Sequence, residues 1–347
     1  MTIEVIGKDL IAAIKLAQKA APKRGTWPAL ECVRLTTEPN LSWLHVQATN
    51  GESYLQTVCT AIGEENLDVL VNPQAFLPLL DKGRIAIEVK AGRISTRNGS
   101  VVTGRVADFP PFPVVEEGTL FELPADALHH IAPAVSRDTT RPVLECISVD
   151  KGQIAACDGY RLGMVTVPNM PEEAQVIFPA RVVNLFPKAG SIAVFAGPKH
   201  TTFTTPDATI TVVNFIGTYP NYRSLVPTTQ LVYMDIDASE LFDALTLLAP
   251  VAKETGIVRF TLNEGGLRIQ AGNEERGGAE RTIGVSNVTG SEADISGFRF
   301  AGNVEYMKAT AKGIKGTVRL GWHGTSLPIT LRHSVATWVV MPAFVQW

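Results

Sequence analysis

The chain states one pattern three times, and that repetition limits its fold more than any other feature. A helix-period segment over 8–17 leads into alternating apolar and polar runs at 32–35 and 43–48, which end at Thr49-Asn50-Gly51. A short helical segment over 72–80 follows, and alternation returns at 85–89 and 93–96. The same order recurs at 125–128, 146–149, 153–159 and 179–185, and again at 239–245, 258–262 and 303–308. The landmarks Asn50, Asp158 and Asn273 stand 108 and 115 residues apart, the length of one domain. Turn-rich seams, Asp108-Phe109-Pro110-Pro111-Phe112-Pro113 and Tyr219-Pro220-Asn221-Tyr222, precede the second and third copies. Any mixed chain shows helices and strands in some order, but a repeated order with near-constant spacing and matching seams is a stronger statement. It predicts an α+β chain of three tandem domains, 1–118, 119–228 and 229–347.

With 347 residues, 45% of them hydrophobic, each domain has material for a core. No apolar run approaches the roughly 20 residues that span a bilayer, and the start of the chain has no basic segment followed by an apolar one. A soluble, cytoplasmic protein without a membrane partner is expected. Cys32, Cys59, Cys146 and Cys157 are scattered singly, with no CxxC pair and no histidine at zinc-ligand spacing, so they read as reduced structural thiols. His129 and His130 are adjacent, and neighbouring side chains on a helix diverge by about 100°, which suits chelation poorly. The phosphate-cradling, dinucleotide, zinc-protease and nucleophile-elbow motifs are missing from the sequence. Neither catalysis nor a metal or other cofactor is expected.

A formal net charge of −3 argues, as an average, against nucleic acid as a partner. The distribution says otherwise. The six predicted helices, 7–24, 72–84, 124–141, 179–190, 237–255 and 302–315, together carry +6, leaving −9 for everything else. Helices sharing one face would make that face basic through Lys15, Lys19, Lys23, Arg24, Arg181, Lys188, Lys308, Lys312 and Lys315, with Arg137 and Arg141 beside them. Such a face attracts a phosphate backbone without reading sequence. The segment 237–255 opposes the trend at −3. No aromatic side chains interleave with the basic ones, which favours duplex over single strands.

Certain residues are more specific. Arg141-Pro142-Val143-Leu144, Ala156-Cys157-Asp158-Gly159-Tyr160-Arg161-Leu162, Tyr219-Pro220-Asn221-Tyr222-Arg223 with Pro227, and the ending Val339-Val340-Met341-Pro342 resemble, in order and at domain-scale spacing, the bacterial DNA polymerase III beta subunits, the sliding clamps. Asp108-Phe109-Pro110 also matches that family's first interdomain seam. The resemblance covers the whole chain. It implies three DNA-clamp domains per subunit, each with two helices packed on antiparallel sheets. Two subunits would close head to tail into a ring around double-stranded DNA, with helices lining the hole. It implies a non-enzymatic processivity factor opened and loaded by a separate ATP-dependent clamp loader. It further implies a cleft that receives short linear motifs from the replicative polymerase, the loader and repair proteins. Carried over residue by residue, the cleft takes Leu144, Gly159, Tyr160, Arg161 and Leu162 from the middle domain and Pro220 and Leu225 from the seam. Asn303, Tyr306, Val339, Val340, Met341 and Pro342 come from the last domain.

The chain departs from the family at three places. Ser224 stands where a basic residue is common, and the chain continues past the Met-Pro pair as Ala343-Phe344-Val345-Gln346-Trp347, which could cover or reshape the cleft. The stretch matching the family's acidic subunit interface, 274–281, is interrupted by Arg276 and Arg281, while Arg93, Arg97 and Arg105 could supply the basic side. An adaptor that keeps the fold and binds clamp-binding peptides without encircling DNA is therefore the alternative expectation.

Overall fold

The computed structural model describes the chain from Met1 to Trp347 except residues 23–26, 38–41, 64–65 and 274–276. Its α-helices are α1 (Gly7–Ala17), α2 (Pro73–Phe76), α3 (Ala125–Ile131), α4 (Ala238–Leu248), α5 (Glu292–Ser296) and α6 (Val304–Ala311). A 3-10 helix, Ala180–Leu185, stands where the sequence predicts a helix over 179–190. Every other predicted helix is present but shorter, and breakers explain why. Pro22 stands beyond α1, Pro78 and Pro133 interrupt the segments after α2 and α3, Pro250 closes the one after α4, and Gly313 at φ +75° ends the turn after α6.

Among the described residues, a strand runs into a helix six times, five of them directly. Thr2–Ile6 enters α1, Thr119–Pro124 enters α3 and Val232–Asp237 enters α4. Asp68–Val71 leads through Asn72 into α2, Val176–Pro179 into the 3-10 helix, and Arg299–Asn303 into α6. Three of the junctions are fastened alike. The Gly7 amide donates to Gly83 O at 2.7 Å, Ala238 to Gly316 O at 2.9 Å and Val304 to Gly256 O at 2.8 Å. Each acceptor is the glycine just before a strand. Asn72, Asp237 and Asn303 also cap their helices, each side chain accepting from the amides two and three residues on. The landmarks repeat in detail too. Asn50 Oδ1 accepts from the amides of Glu52 and Ser53, and Asp158 Oδ1 from those of Tyr160 and Arg161. The next residue in each turn is a glycine at positive φ, +90° at Gly51 and +95° at Gly159.

Two compact units result, 1–122 with 184–214, and 123–183 with 215–347. In the first, a twelve-stranded sheet runs from Gly99–Val102 through Arg84–Lys90, Thr2–Ile6 and Ser53–Ile62 to Thr209–Val213 and Ser191–Ala196. The pair Ile210↔Leu55 ties strands far apart in sequence. The helix α1 buries Leu10, Ala13, Ile14 and Ala17 against this sheet. In the second unit, a nine-stranded sheet runs Val176–Pro179, Cys146–Asp150, Gln153–Cys157, Arg161–Thr166, Thr337–Val340, Ile329–Arg332, Thr317–Trp322, Val232–Asp237, Val285–Thr289. A four-stranded sheet runs Gly277–Ile283, Gly266–Asn273, Ile257–Asn263, Arg299–Asn303. There α6 packs against α4 and against the turn that continues α3.

Candidate functional site

The residues predicted for a peptide cleft all lie in the second unit, and the strand order explains how they meet. Strands Gln153–Cys157 and Arg161–Thr166 form a hairpin through Asp158-Gly159-Tyr160. The second of them pairs with Thr337–Val340 in the register Arg161↔Val340 and Leu162↔Val339. Beyond that pairing, the Met341 amide donates to Tyr160 O at 2.9 Å, which sets Met341 and Pro342 beside the hairpin turn. Leu144, Leu162 and Val339 join Ala155, Cys157 and Tyr222 in one buried cluster, with Val143, Tyr219 and Val226 packed on it. Val340 is buried too. Outside that floor, Tyr160 and Leu225 are about three-fifths exposed, at 62% and 61%, and Met341 is exposed at 43%. Apolar side chains held open to solvent on a packed floor are what a peptide anchor requires.

One polar cluster is fixed in this surface. The Asp158 carboxylate, buried to 7% exposure, accepts from two turn amides at 2.9 Å and from Arg161 Nε at 3.0 Å. Arg161 also donates through Nη2 to the Pro133 carbonyl, and its guanidinium lies 4.3 Å from the Tyr306 ring centroid. Burial raises the Tyr306 hydroxyl's pKa, with the nearby Asp158 charge adding to the shift and Arg161 opposing it. Asn303 does a structural task, accepting through Oδ1 from the amides of Glu305 and Tyr306. Asp158 and Pro133 were not among the predicted site residues. An Asp-Gly pair is the local signal that could have found the first, whereas nothing local marks a carbonyl 28 residues from its arginine.

The predicted DNA-facing residues divide between the units. In the first, Lys15 lies on the exposed side of α1, Lys19 in the turn after it and Lys188 after the 3-10 helix, all three exposed. In the second, Arg137, Arg141, Arg181, Lys312 and Lys315 are exposed and Lys308 is half-buried. Arg141 pairs with Asp138 at 3.0 Å and Lys308 with Glu305 at 3.4 Å. Lys23 and Arg24 lie outside the described residues, as do Glu274, Glu275 and Arg276 of the predicted interface stretch. Of the candidate interface cations, Arg97 pairs with Asp81 at 2.7 Å and Arg93 bonds Ser100, while Glu280 is held by Arg268. The end of the chain turns toward strand Arg299–Asn303, with the Ala343 amide donating to Ala301 O at 2.7 Å and Arg299 lying 5.9 Å from the Trp347 ring centroid. Phe344 stays 90% exposed.

Burial holds the Cys59 and Cys146 thiols at about 12, well above the range of reactive cysteines. Among the described residues no group of three or more histidine, cysteine or acidic side chains is placed to hold a metal ion. No described helix is long and apolar enough to cross a membrane.

The strand-helix repeat and the motif order define a chain with the DNA-clamp fold, and comparison with known proteins narrows the likeness. No family model matches the chain. It is 25% identical over 232 residues to the beta sliding clamp of Micrococcus luteus, covering 61% of this chain and 72% of that one. It is 26% identical over 280 residues to the beta sliding clamp of Pseudomonas putida, covering 73% of this chain and 68% of the relative. Among solved structures, the Bacillus subtilis DNA polymerase sliding clamp superposes with a TM-score of 0.86 at 17% identity over 100% of both chains. The Pseudomonas aeruginosa sliding clamp bound to griselimycin gives 0.84 at 22% identity, over 99% of this chain and 100% of that one. The fold is that of the bacterial beta sliding clamps over the length of the chain, and the sequence likeness extends to curated relatives of that name.

Proposed function

We propose that this chain is a DNA sliding clamp. Two copies close head to tail around double-stranded DNA, and the ring tethers the replicative polymerase and other proteins that carry short clamp-binding motifs. The observation that carries this reading is the span of the likeness, since solved sliding clamps superpose on 99 to 100% of this chain. Three domains, 1–118, 119–228 and 229–347, suit the recurrence of the strand-helix junctions. A topological link needs only weak, sequence-independent attraction to phosphates, and exposed lysines and arginines beside the helices provide it. The polymerase and repair partners would enter the cleft floored by Leu144, Leu162 and Val339, and Asn303, Pro220 and Pro342 would border it. A processivity subunit of this kind performs no chemistry and requires no cofactor.

After loading by a clamp loader, the protein should stay on nicked circular DNA and run off once that DNA is linearised, as read by gel filtration of the labelled chain. Equal retention on both forms would overturn the ring. A second reading, an adaptor that binds clamp-binding peptides without encircling DNA, is favoured by the engagement of Arg97 with Asp81 and of Glu280 with Arg268 inside one chain. A monomeric mass in solution at micromolar concentration would select it.

A further inference from the structure

The motif Tyr219-Pro220-Asn221-Tyr222-Arg223 lends Pro220 to the proposed cleft, and Tyr219 has a different place. Strands Cys146–Asp150 and Gln153–Cys157 pair antiparallel through Asp150↔Gln153, Val149↔Ile154 and Ser148↔Ala155. Continuing that register sets Cys146 opposite Cys157, where the ladder would exchange its next bonds. On their other sides both residues remain in regular pairing, Cys146 with Pro179 and Cys157 with Leu162. Between them stands the Tyr219 hydroxyl. The Cys157 amide donates to Tyr219 Oη at 3.1 Å, and that hydroxyl donates onward to Cys146 O at 3.3 Å. Two bonds in series replace a single bond of about 2.9 Å, so the strands stand further apart at this end than along the ladder. The tyrosine ring is held in turn, edge-on to Tyr222 at 6.1 Å and packed on the cluster under the cleft.

What leaves the opened strand end is the cleft itself. From Cys146 the chain runs back to Val143-Leu144, and from Cys157 it runs on through Asp158 and Gly159 to Tyr160 and Arg161. We propose that Tyr219 is a positioning residue of the cleft, its hydroxyl a spacer that holds these two segments apart and so sets the size of the apolar anchor the cleft accepts. This rests on the reading of the surrounding residues as a peptide cleft.

The test uses the full chain and two synthetic fluorescein-labelled hexapeptides, each with a leucine, that differ only in a phenylalanine or an alanine anchor. Tyr219→Phe removes one oxygen and leaves the ring in place. The Cys157 amide and the Cys146 carbonyl lose their shared partner and close on each other, because a buried amide left without an acceptor is costly. Fluorescence anisotropy should show affinity for the phenylalanine peptide falling about tenfold, a loss of about 1.4 kcal/mol, with the alanine peptide within twofold of wild type. Replacing Tyr219 by 4-aminophenylalanine, which keeps a polar spacer, should restore the wild-type ratio, and it serves as the folded comparison if Tyr219→Phe proves unstable. Met341→Ala separates the two readings. If it weakens the phenylalanine peptide while Tyr219→Phe keeps the wild-type ratio, the spacer is overturned and the cleft stands. If Met341→Ala binds both peptides as wild type does, the cleft reading falls and takes the spacer with it. Equal weakening of both peptides by Tyr219→Phe would mark a general loosening and would also overturn the spacer.

Discussion

His130 sits where three elements meet, at the end of α3, beside His333 and under Trp338. Its Nε2 accepts from Trp338 Nε1 at 2.9 Å and lies 3.0 Å from His333 Nε2. His333 Nδ1 accepts from the amides of Val335 and Ala336, so the His333 proton resides on Nε2. A proton on His130 Nε2 would face both donors. Burial and, for His130, the neighbouring His333 pull both imidazoles down to about 4 from the usual 6.5, with backbone carbonyls at Lys312 and Thr310 and the Asp126 charge acting the other way. Because the folded pKa is depressed for a base, the neutral form is the stable one. The contribution is full above about pH 6.5 and is lost as pH falls toward 4, where the unfolded chain binds protons the folded chain refuses. His130→Gln should therefore flatten the pH dependence of urea unfolding between pH 6.5 and 4 by up to about 1.4 kcal/mol per pH unit, while leaving the slope above pH 7 unchanged. In the sequence His129-His130 showed only that it was no chelating pair. Its partner is 203 residues away, and no local pattern announces contacts of that range. The turn at Asp158 has a local cause by contrast, an Asp-Gly pair in adjacent residues, although Asp158 was not among the predicted site residues.

At the scale of elements, the helix-period segments located the helices, but neither their lengths nor the strands that run into them. Apolar spacing continues past Pro133 and Pro250, and only backbone geometry ends the helix there. Three of the junctions carry a side-chain cap, and Asn303 occupies one of them. Asn303→Ala should cost about 1 kcal/mol in urea unfolding, the typical loss for an N-cap, whereas Asn303→Asp should cost much less. The first helix is different. The residue preceding it, Ile6, offers no cap, and a Cβ on Gly7 would stand 1.8 Å from the Asp81 carbonyl oxygen. Gly7→Ala should accordingly destabilise the protein more than Asn303→Ala in the same assay, because the strand-helix junction must move as a whole. The residues proposed for the cleft were named through the motifs, yet the Arg161 contacts with Pro133 and Tyr306 join distant segments whose meeting the sequence does not display.

For the molecule as a whole, net charge misleads because it averages surfaces with different neighbours. Lys15 on the outer side of α1 and Lys19 in the turn after it are exposed, where they could meet a phosphate backbone. If they do, Lys15→Glu with Lys19→Glu should reduce the slope of log affinity for duplex DNA against log salt by about 1.8, near 0.9 for each phosphate left unneutralised, and a wild-type slope would remove them from the DNA-facing surface. The way the helices are tied down also bears on how much change of sequence this fold can absorb. At three junctions the first helical amide is bound to the carbonyl of a glycine ahead of a strand, at 2.7 to 2.9 Å. Such fastenings use groups that every residue except proline carries, so mutation can exchange the side chains around them without undoing the joint. A chain built this way can differ in most of its side chains and keep its path, in keeping with a TM-score of 0.86 at 17% identity to the Bacillus subtilis clamp. The shape of such a chain is then written in its amides and carbonyls more than in its letters.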